Sequence, residues 1–196
     1  MGTEHDSVEL VPDDVVLPFA LAALLAALMG ASALFSIPIP FSPAPVTLQT
    51  LIVFLAGILL GPVWGGFAIV LYLLAGALGA PVFSQGAAGF GVLVGSPTAG
   101  YLWSFPIAAV LIGLIVHRGV ERRDLSSVAT PVLVASMLLA TLLMYGVGSG
   151  WYAWLTGVGM VEAIAVMVAP FVVGDLLKVA AAVAIVRTGR LVTDTR

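Results

Sequence analysis

Apolar residues run along this chain with little polar periodicity, and the breaks between runs are prolines, glycines and charges. A backbone in hydrocarbon must satisfy its own hydrogen bonds, so apolar runs of about 20 residues between such breakers predict transmembrane helices. The runs predict spans near 16–36, 46–61, 63–80, 98–117, 128–149 and 159–187, an all-α bundle of six transmembrane helices in a polytopic membrane protein. Only Gly61-Pro62 separates the second span from the third, and the second is short for a crossing.

Charge confirms the solvent. From Val15 to Val116 there is no Asp, Glu, Lys, Arg or His. With 61% apolar and 9% charged residues and a mean hydropathy of +1.19, the chain lies far outside the soluble range. No repeat of fixed period is visible, so one domain is expected over 15–190. It is flanked by an acidic cytoplasmic tail over 1–14 and a cytoplasmic C-terminal tail over 191–196. The first segment lacks the basic start of a signal peptide.

Arginines set the orientation. Arg118, Arg122 and Arg123 follow the fourth span, and Arg187, Arg190 and Arg196 follow the sixth. An even number of spans puts both groups on one side, which the positive-inside rule makes the cytoplasm of a plasma membrane, with both termini inside. The loops near 37–45, 81–97 and 150–158 then lie outside, where Trp151, Tyr152 and Trp154 suit an aromatic belt.

Several function classes drop out. The net charge of −3 offers no basic surface for nucleic acid. Lys178 is the single lysine and Val179 follows it, so there is no P-loop and no ATP hydrolysis by that route. With no cysteine there is no disulfide and no thiolate metal site, and neither metal nor cofactor is expected. An intramembrane serine enzyme needs a base, yet His5 and His117 fall outside the spans and leave Ser104 and Ser149 without one. No enzyme activity is expected.

The most informative residues are Asp175 and Lys178 in Pro170-Phe-Val-Val-Gly-Asp-Leu-Leu-Lys178, an opposite-charge pair at i and i+3 on one helix face. Lys178 precedes Arg187 by nine residues, roughly 14 Å of helix, which places the pair within the membrane. Each such charge costs about 2.5–3.5 kcal/mol to insert, so the pair should face a bundle interior or an aqueous cavity. One role is packing by a self-neutralising pair. The other is binding a small ligand, with Lys178 attracting an anionic group and Asp175 accepting from N–H donors. Pro170 and Gly174 predict a kink just before the pair.

Two outer segments are candidates to bound a site. Ile37-Pro-Ile-Pro-Phe-Ser-Pro-Ala-Pro45 carries four prolines and predicts a stiff, extended connection. Pro81 to Pro97 is apolar and glycine-rich for a loop, and could fold back as a lid that supplies Phe83, Phe90 and Gln85 to a ligand or else anchor at the interface. In the first span two rows of small residues, Ala22, Ala26 and Gly30 beside Ala23, Ala27 and Ala31, permit close helix approach to a partner or within the bundle. Glu162 and His117 sit at span ends and receive no role.

Ile37-Pro-Ile-Pro-Phe-Ser-Pro-Ala-Pro-Val-Thr-Leu-Gln-Thr50 resembles the opening motif of the BioY biotin transporters. The resemblance continues through Leu59-Leu-Gly-Pro62, Leu71 to Phe83, Gly95-Ser-Pro-Thr-Ala-Gly-Tyr101 and Gly174-Asp-Leu-Leu-Lys178, in family order. Ser96, Ala99 and Val173 depart from the family pattern, and the lid segment lacks a basic residue that some relatives carry. The resemblance implies a six-helix S component of an energy-coupling-factor importer that binds biotin from outside through Asp175 and Lys178. Gln49 and Tyr101, in the matched motifs, join Gln85 as further expected ligand contacts. It also implies a transmembrane coupling protein, meeting the small residues of the first helix, and two cytoplasmic ABC-type ATPases. An S component for another vitamin and a purely structural membrane protein are the alternatives.

Overall fold

The computed structural model describes residues 13–193. Helix α1 (Asp13–Leu34) leads into a short antiparallel ribbon, β1 (Ile37–Ile39) and β2 (Ser42–Val46). Helix α2 (Gln49–Ala77), a lid segment containing α3 (Phe90–Gly95), α4 (Ala99–His117), α5 (Thr130–Thr156), α6 (Met160–Met167) and α7 (Val172–Thr193) complete the chain. The expected tails, 1–14 and 191–196, lie outside the described residues except for 13–14 and 191–193, which belong to α1 and α7.

The proline-rich segment is the ribbon. Ile37 pairs with Val46 and Ile39 with Ser42, so Pro38 and Pro45 fall next to residues in register rather than at them. That alternation lets a two-stranded ribbon tolerate residues with no N–H.

Gly61 decides the topology of α2. Its φ of 75° and ψ of −176° break the helix one residue before Pro62, a conformation a side chain rarely adopts. The arms 49–60 and 62–77 then fold back on each other. A Cβ placed on Gly65 would lie 2.5 Å from the Ala56 carbonyl oxygen, and the Gln49 amide donates to the Tyr72 hydroxyl at 2.7 Å. In a straight helix residues 56 and 65 would be about 13 Å apart and 49 and 72 about 34 Å apart. Helix length and composition alone mark four helices and one bent pair as candidate crossings. The fold-back divides α2 in two, and with α6–α7 as one broken pass the bundle has six. The first arm, about 18 Å long, is short against an approximately 30 Å hydrocarbon core, as its sequence suggested.

The last two passes differ from their predicted bounds. Helix α5 continues past 149 to Thr156 and ends at Gly157 in the left-handed region, so the outer connection is three residues rather than 150–158 and the aromatics Trp151, Tyr152 and Trp154 are helical. The helix runs through Gly146, Gly148 and Gly150, and Trp151 beyond them packs against Gly100 and donates to the Ser96 carbonyl. The sixth pass bends by 53° between α6 and α7, where Pro170 lacks the N–H to continue.

The core lies where α2 packs on α1 and α4, and α4 on α5. Ala22, Met29, Phe54, Ile58, Ala108, Ile112, Met137 and Met144 are fully buried there. At the arginine-rich end, the His117 Nε2 donates to the Ile58 carbonyl at 3.0 Å while its Nδ1 accepts from the Arg123 N–H, so a neutral His117 ties α4 and its loop to the turn of α2. Arg187 donates to the Val128 carbonyl and the Thr130 hydroxyl. Arg122, Arg123 and Arg187 thus gather at one end of the bundle with the Gly61 turn, and the ribbon and lid lie at the other.

Gly65→Ala sets a methyl against backbone and should lower the thermal unfolding midpoint by several degrees, a cost of about 1–3 kcal/mol. Gly146→Ala, with nothing within 4 Å, should leave it unchanged or slightly raised. Equal midpoints for both variants would contradict the fold-back of α2.

Candidate functional site

Beneath the lid, at the end opposite the arginines, a cavity with an empty volume of about 790 Å³ including its mouth is lined by the ribbon, the lid and helices α2, α4, α5 and α7. The ribbon and its exit contribute Ala44 and Thr47, and the first turn of α2 contributes Gln49 and Thr50. The lid adds Phe83, Ser84, Val92 and Ser96, and the bundle adds Tyr101, Phe105, Met144, Tyr145, Phe171, Asp175 and Lys178. The wall is mostly apolar, with a few convergent polar groups, as small-molecule sites are.

Asp175 and Lys178 come together as their spacing predicts. The Lys178 Nζ lies 2.8 Å from the Asp175 Oδ1, and the residues are 5% and 8% exposed, so both charges are removed from solvent. Asp175 sits in the first turn of α7, where the helix dipole favours a carboxylate. Two more donors hold it: the Thr50 hydroxyl reaches Oδ1 at 3.1 Å and the Tyr145 hydroxyl reaches Oδ2 at 2.6 Å. These bonds join α2, α5 and α7 at one carboxylate.

Counting valences shows what is left. A carboxylate offers about four acceptor positions and an ammonium three N–H groups. With Lys178, Thr50 and Tyr145 in place, Asp175 keeps one acceptor position on Oδ2 and Lys178 keeps two donors. The pair is therefore electrically neutral overall yet presents donors and an acceptor side by side.

The other expected contacts fall differently. Gln49 lines the cavity, but its amide spans Tyr72 at 2.7 Å and the Thr47 hydroxyl at 3.0 Å, so it braces the fold-back of α2. Tyr101 lines the cavity with its hydroxyl donated to the Met167 carbonyl at the end of α6, fixing α4 against the bend. Gln85 is corrected: it is exposed, adopts a φ of 60° and does not line the cavity, whereas its neighbour Ser84 does. Likewise Phe83 is 1% exposed and stacks edge-on upon Tyr72, while Phe90 is 60% exposed and outside the lining. A left-handed turn after Phe83 reverses the side-chain directions that an extended loop would have.

The lid is tied down at two points. The Trp103 indole donates to the Leu93 carbonyl at 2.8 Å and the Trp151 indole to the Ser96 carbonyl at 2.9 Å. Of the small-residue rows in α1, Ala22, Ala26 and Gly30 face inward: Ala22 is fully buried, Ala26 is 9% exposed, and a Cβ on Gly30 would lie 2.9 Å from Val82 of the lid segment. That row is taken up by internal packing. Ala27 and Ala31 are exposed and Ala23 is half-buried.

Thr50, Tyr145 and Ser84 were not singled out from sequence. Thr50 lies inside a quoted motif, and a tyrosine within an apolar span needs a partner for its hydroxyl, which is the signal that Tyr145 offered.

The comparisons agree with this architecture. The chain matches the family model described as BioY family over residues 7–194. It is 40% identical over 166 residues to a protein of Pyrococcus horikoshii named probable biotin transporter BioY, covering 85% of this chain and 91% of that one. It is 37% identical over 187 residues to the biotin transporter BioY of Rhodobacter capsulatus, covering 89% and 92%. Among solved structures, the S-component for biotin from an ECF-type ABC transporter superposes with a TM-score of 0.81 at 26% identity, over 92% of this chain and 94% of that one. On the family match and these near full-length relatives, the chain belongs to the BioY family.

Proposed function

We propose that this chain captures biotin at the outer face of the membrane and delivers it inward as the substrate-binding S component of an ECF-type importer. The observation that carries the reading is the Asp175–Lys178 pair, buried in the spans, held by Thr50 and Tyr145, and lining a cavity beneath a lid. The named functions of the relatives and of the superposed structure support it.

Because the pair is already neutral, a ligand carboxylate brought to Lys178 would also approach Asp175. A ureido edge meets no such conflict, since its carbonyl can accept from the two free Lys178 donors while an N–H donates to the free position of Asp175. In our reading the ureido ring of biotin therefore lies at the pair, the thioether ring rests among Tyr101, Phe105, Met144 and Phe171, and the valerate runs toward the lid. This replaces the expectation that Lys178 holds the anion. Gln49 and Tyr101 act as shaped wall and brace, with their polar atoms engaged in the fold.

The chain has no P-loop of its own, so separate ABC-type ATPases and a coupling protein supply the energy in this proposal. The row of half-buried Ala23 and exposed Ala27 and Ala31 is the surface proposed to meet the coupling protein, since the neighbouring row is internal. A plasma membrane location with cytoplasmic termini fits the arginines gathered opposite the cavity.

In detergent without added ligand, biotin should raise the thermal unfolding midpoint, while riboflavin and thiamine should not. Lys178→Ala and Asp175→Ala each leave a buried charge unpaired, and each should weaken biotin binding by about 2–5 kcal/mol. A rise of equal size in both variants and wild type would overturn the site, and a rise with riboflavin or thiamine instead of biotin would reassign the substrate. Tyr145→Phe removes one hydrogen bond that orients Asp175 and should weaken biotin by roughly tenfold in a titration, with wild-type affinity as the contrary result.

A further inference from the structure

Two hydroxyls among the described residues are buried with no hydrogen-bond partner, those of Ser84 and Ser149. Ser149 lies in α5 and lines no part of the cavity beneath the lid, whereas Ser84 lies in the lid turn Ser84–Gly86 and does. A buried hydroxyl without a partner weakens a fold, because its lost hydration is not replaced. The other polar groups on the lid side already bond within the protein: the Ser96 and Thr98 hydroxyls share one hydrogen bond at 2.9 Å, Thr47 donates to Gln49, and one N–H of the Gln49 amide reaches Tyr72, whereas the Ser84 hydroxyl has no partner. Among the described residues Lys178 is the only cation in the lining; its charge is paired with Asp175, and in the reading above its two free donors meet the ureido carbonyl.

From this we infer that Ser84 is a specificity-determining residue of the lid, its Oγ–H donating to the carboxylate end of the bound vitamin. The inference rests on the biotin reading above and deepens it. With the ureido edge at the Asp175–Lys178 pair, the opposite end of an extended ligand comes under the lid, and Ser84 supplies there a buried donor with no partner in the protein. An O–H donor to a carboxylate is stronger than one to a neutral acceptor, so the hydroxyl discriminates the free acid from esters and amides of the same molecule. It also explains the position of the residue: Phe83 anchors the turn in the core against Tyr72, and the left-handed Gln85 turns the chain away immediately after.

The signature of such a residue is opposite effects on stability and affinity. In the full chain purified in detergent, Ser84→Ala should leave the ligand-free thermal midpoint unchanged or higher while weakening biotin by about tenfold. For biotin methyl ester the same substitution should cost about threefold or less. Ser149→Ala should likewise leave the midpoint unchanged or higher, with biotin affinity unaltered. Wild-type affinity for biotin in Ser84→Ala, equal losses for biotin and its ester, or a lowered ligand-free midpoint would each overturn the assignment of Ser84 alone. Absence of biotin binding by the wild-type chain would instead overturn the functional reading, and this assignment with it.

Discussion

Two charges carried into hydrocarbon must be satisfied by the protein, and the way Asp175 and Lys178 are satisfied ties this bundle together. Each would cost about 2.5–3.5 kcal/mol alone, and a hydrogen bond to a charged group returns about 1.5–3 kcal/mol. The carboxylate therefore draws in Lys178, Thr50 and Tyr145, and in doing so it pins the start of α2, the middle of α5 and the start of α7 to one point. Satisfaction is deliberately incomplete in valence terms: one acceptor and two donors remain, facing a cavity. Such a pair can stay folded without ligand and still gain from a partner with a complementary N–H and C=O edge.

The geometry that delivers Thr50 to Asp175 depends in turn on the fold-back at Gly61. Only because the two arms of α2 run antiparallel does Gln49 reach Tyr72, and Tyr72 in turn supports Phe83 beneath the lid. Small side chains let the arms approach closely, a means of association suited to a solvent in which burying apolar surface gains little. The same end of the bundle carries the ribbon, whose prolines make it stiff, and the two indole ties that hold the lid to α4 and α5. The opposite end collects arginines and a neutral, doubly bonded His117, and no charged residue of the described chain lines the cavity except the pair.

Most of the architecture was legible in the sequence, since lipid forces a coarse pattern on the chain. The six passes, the break at Gly61-Pro62, the kink at Pro170 and the meeting of Asp175 with Lys178 follow from apolar runs, backbone breakers and helical periodicity. What was not legible lies where those rules are silent. A long apolar helix can swallow glycines, so α5 outran its expected end and took the aromatic belt with it. Lid side chains depend on single backbone angles, and the left-handed Gln85 moved the cavity contact from Gln85 to Ser84. Long-range partners such as Tyr145 depend on how helices rotate against each other, which composition does not encode.

The central claim is that the Asp175–Lys178 pair reads a urea edge rather than an anion. The most direct measurement is the affinity of the wild-type chain for 2-iminobiotin relative to biotin at neutral pH. In the protonated analogue a donor N–H replaces the carbonyl that would accept from Lys178, with the carboxylate unchanged. The account predicts binding weaker by about 100-fold or more, from a lost charge-assisted bond and an added like charge. Affinity for 2-iminobiotin equal to that for biotin would contradict it and return the carboxylate of the ligand to Lys178.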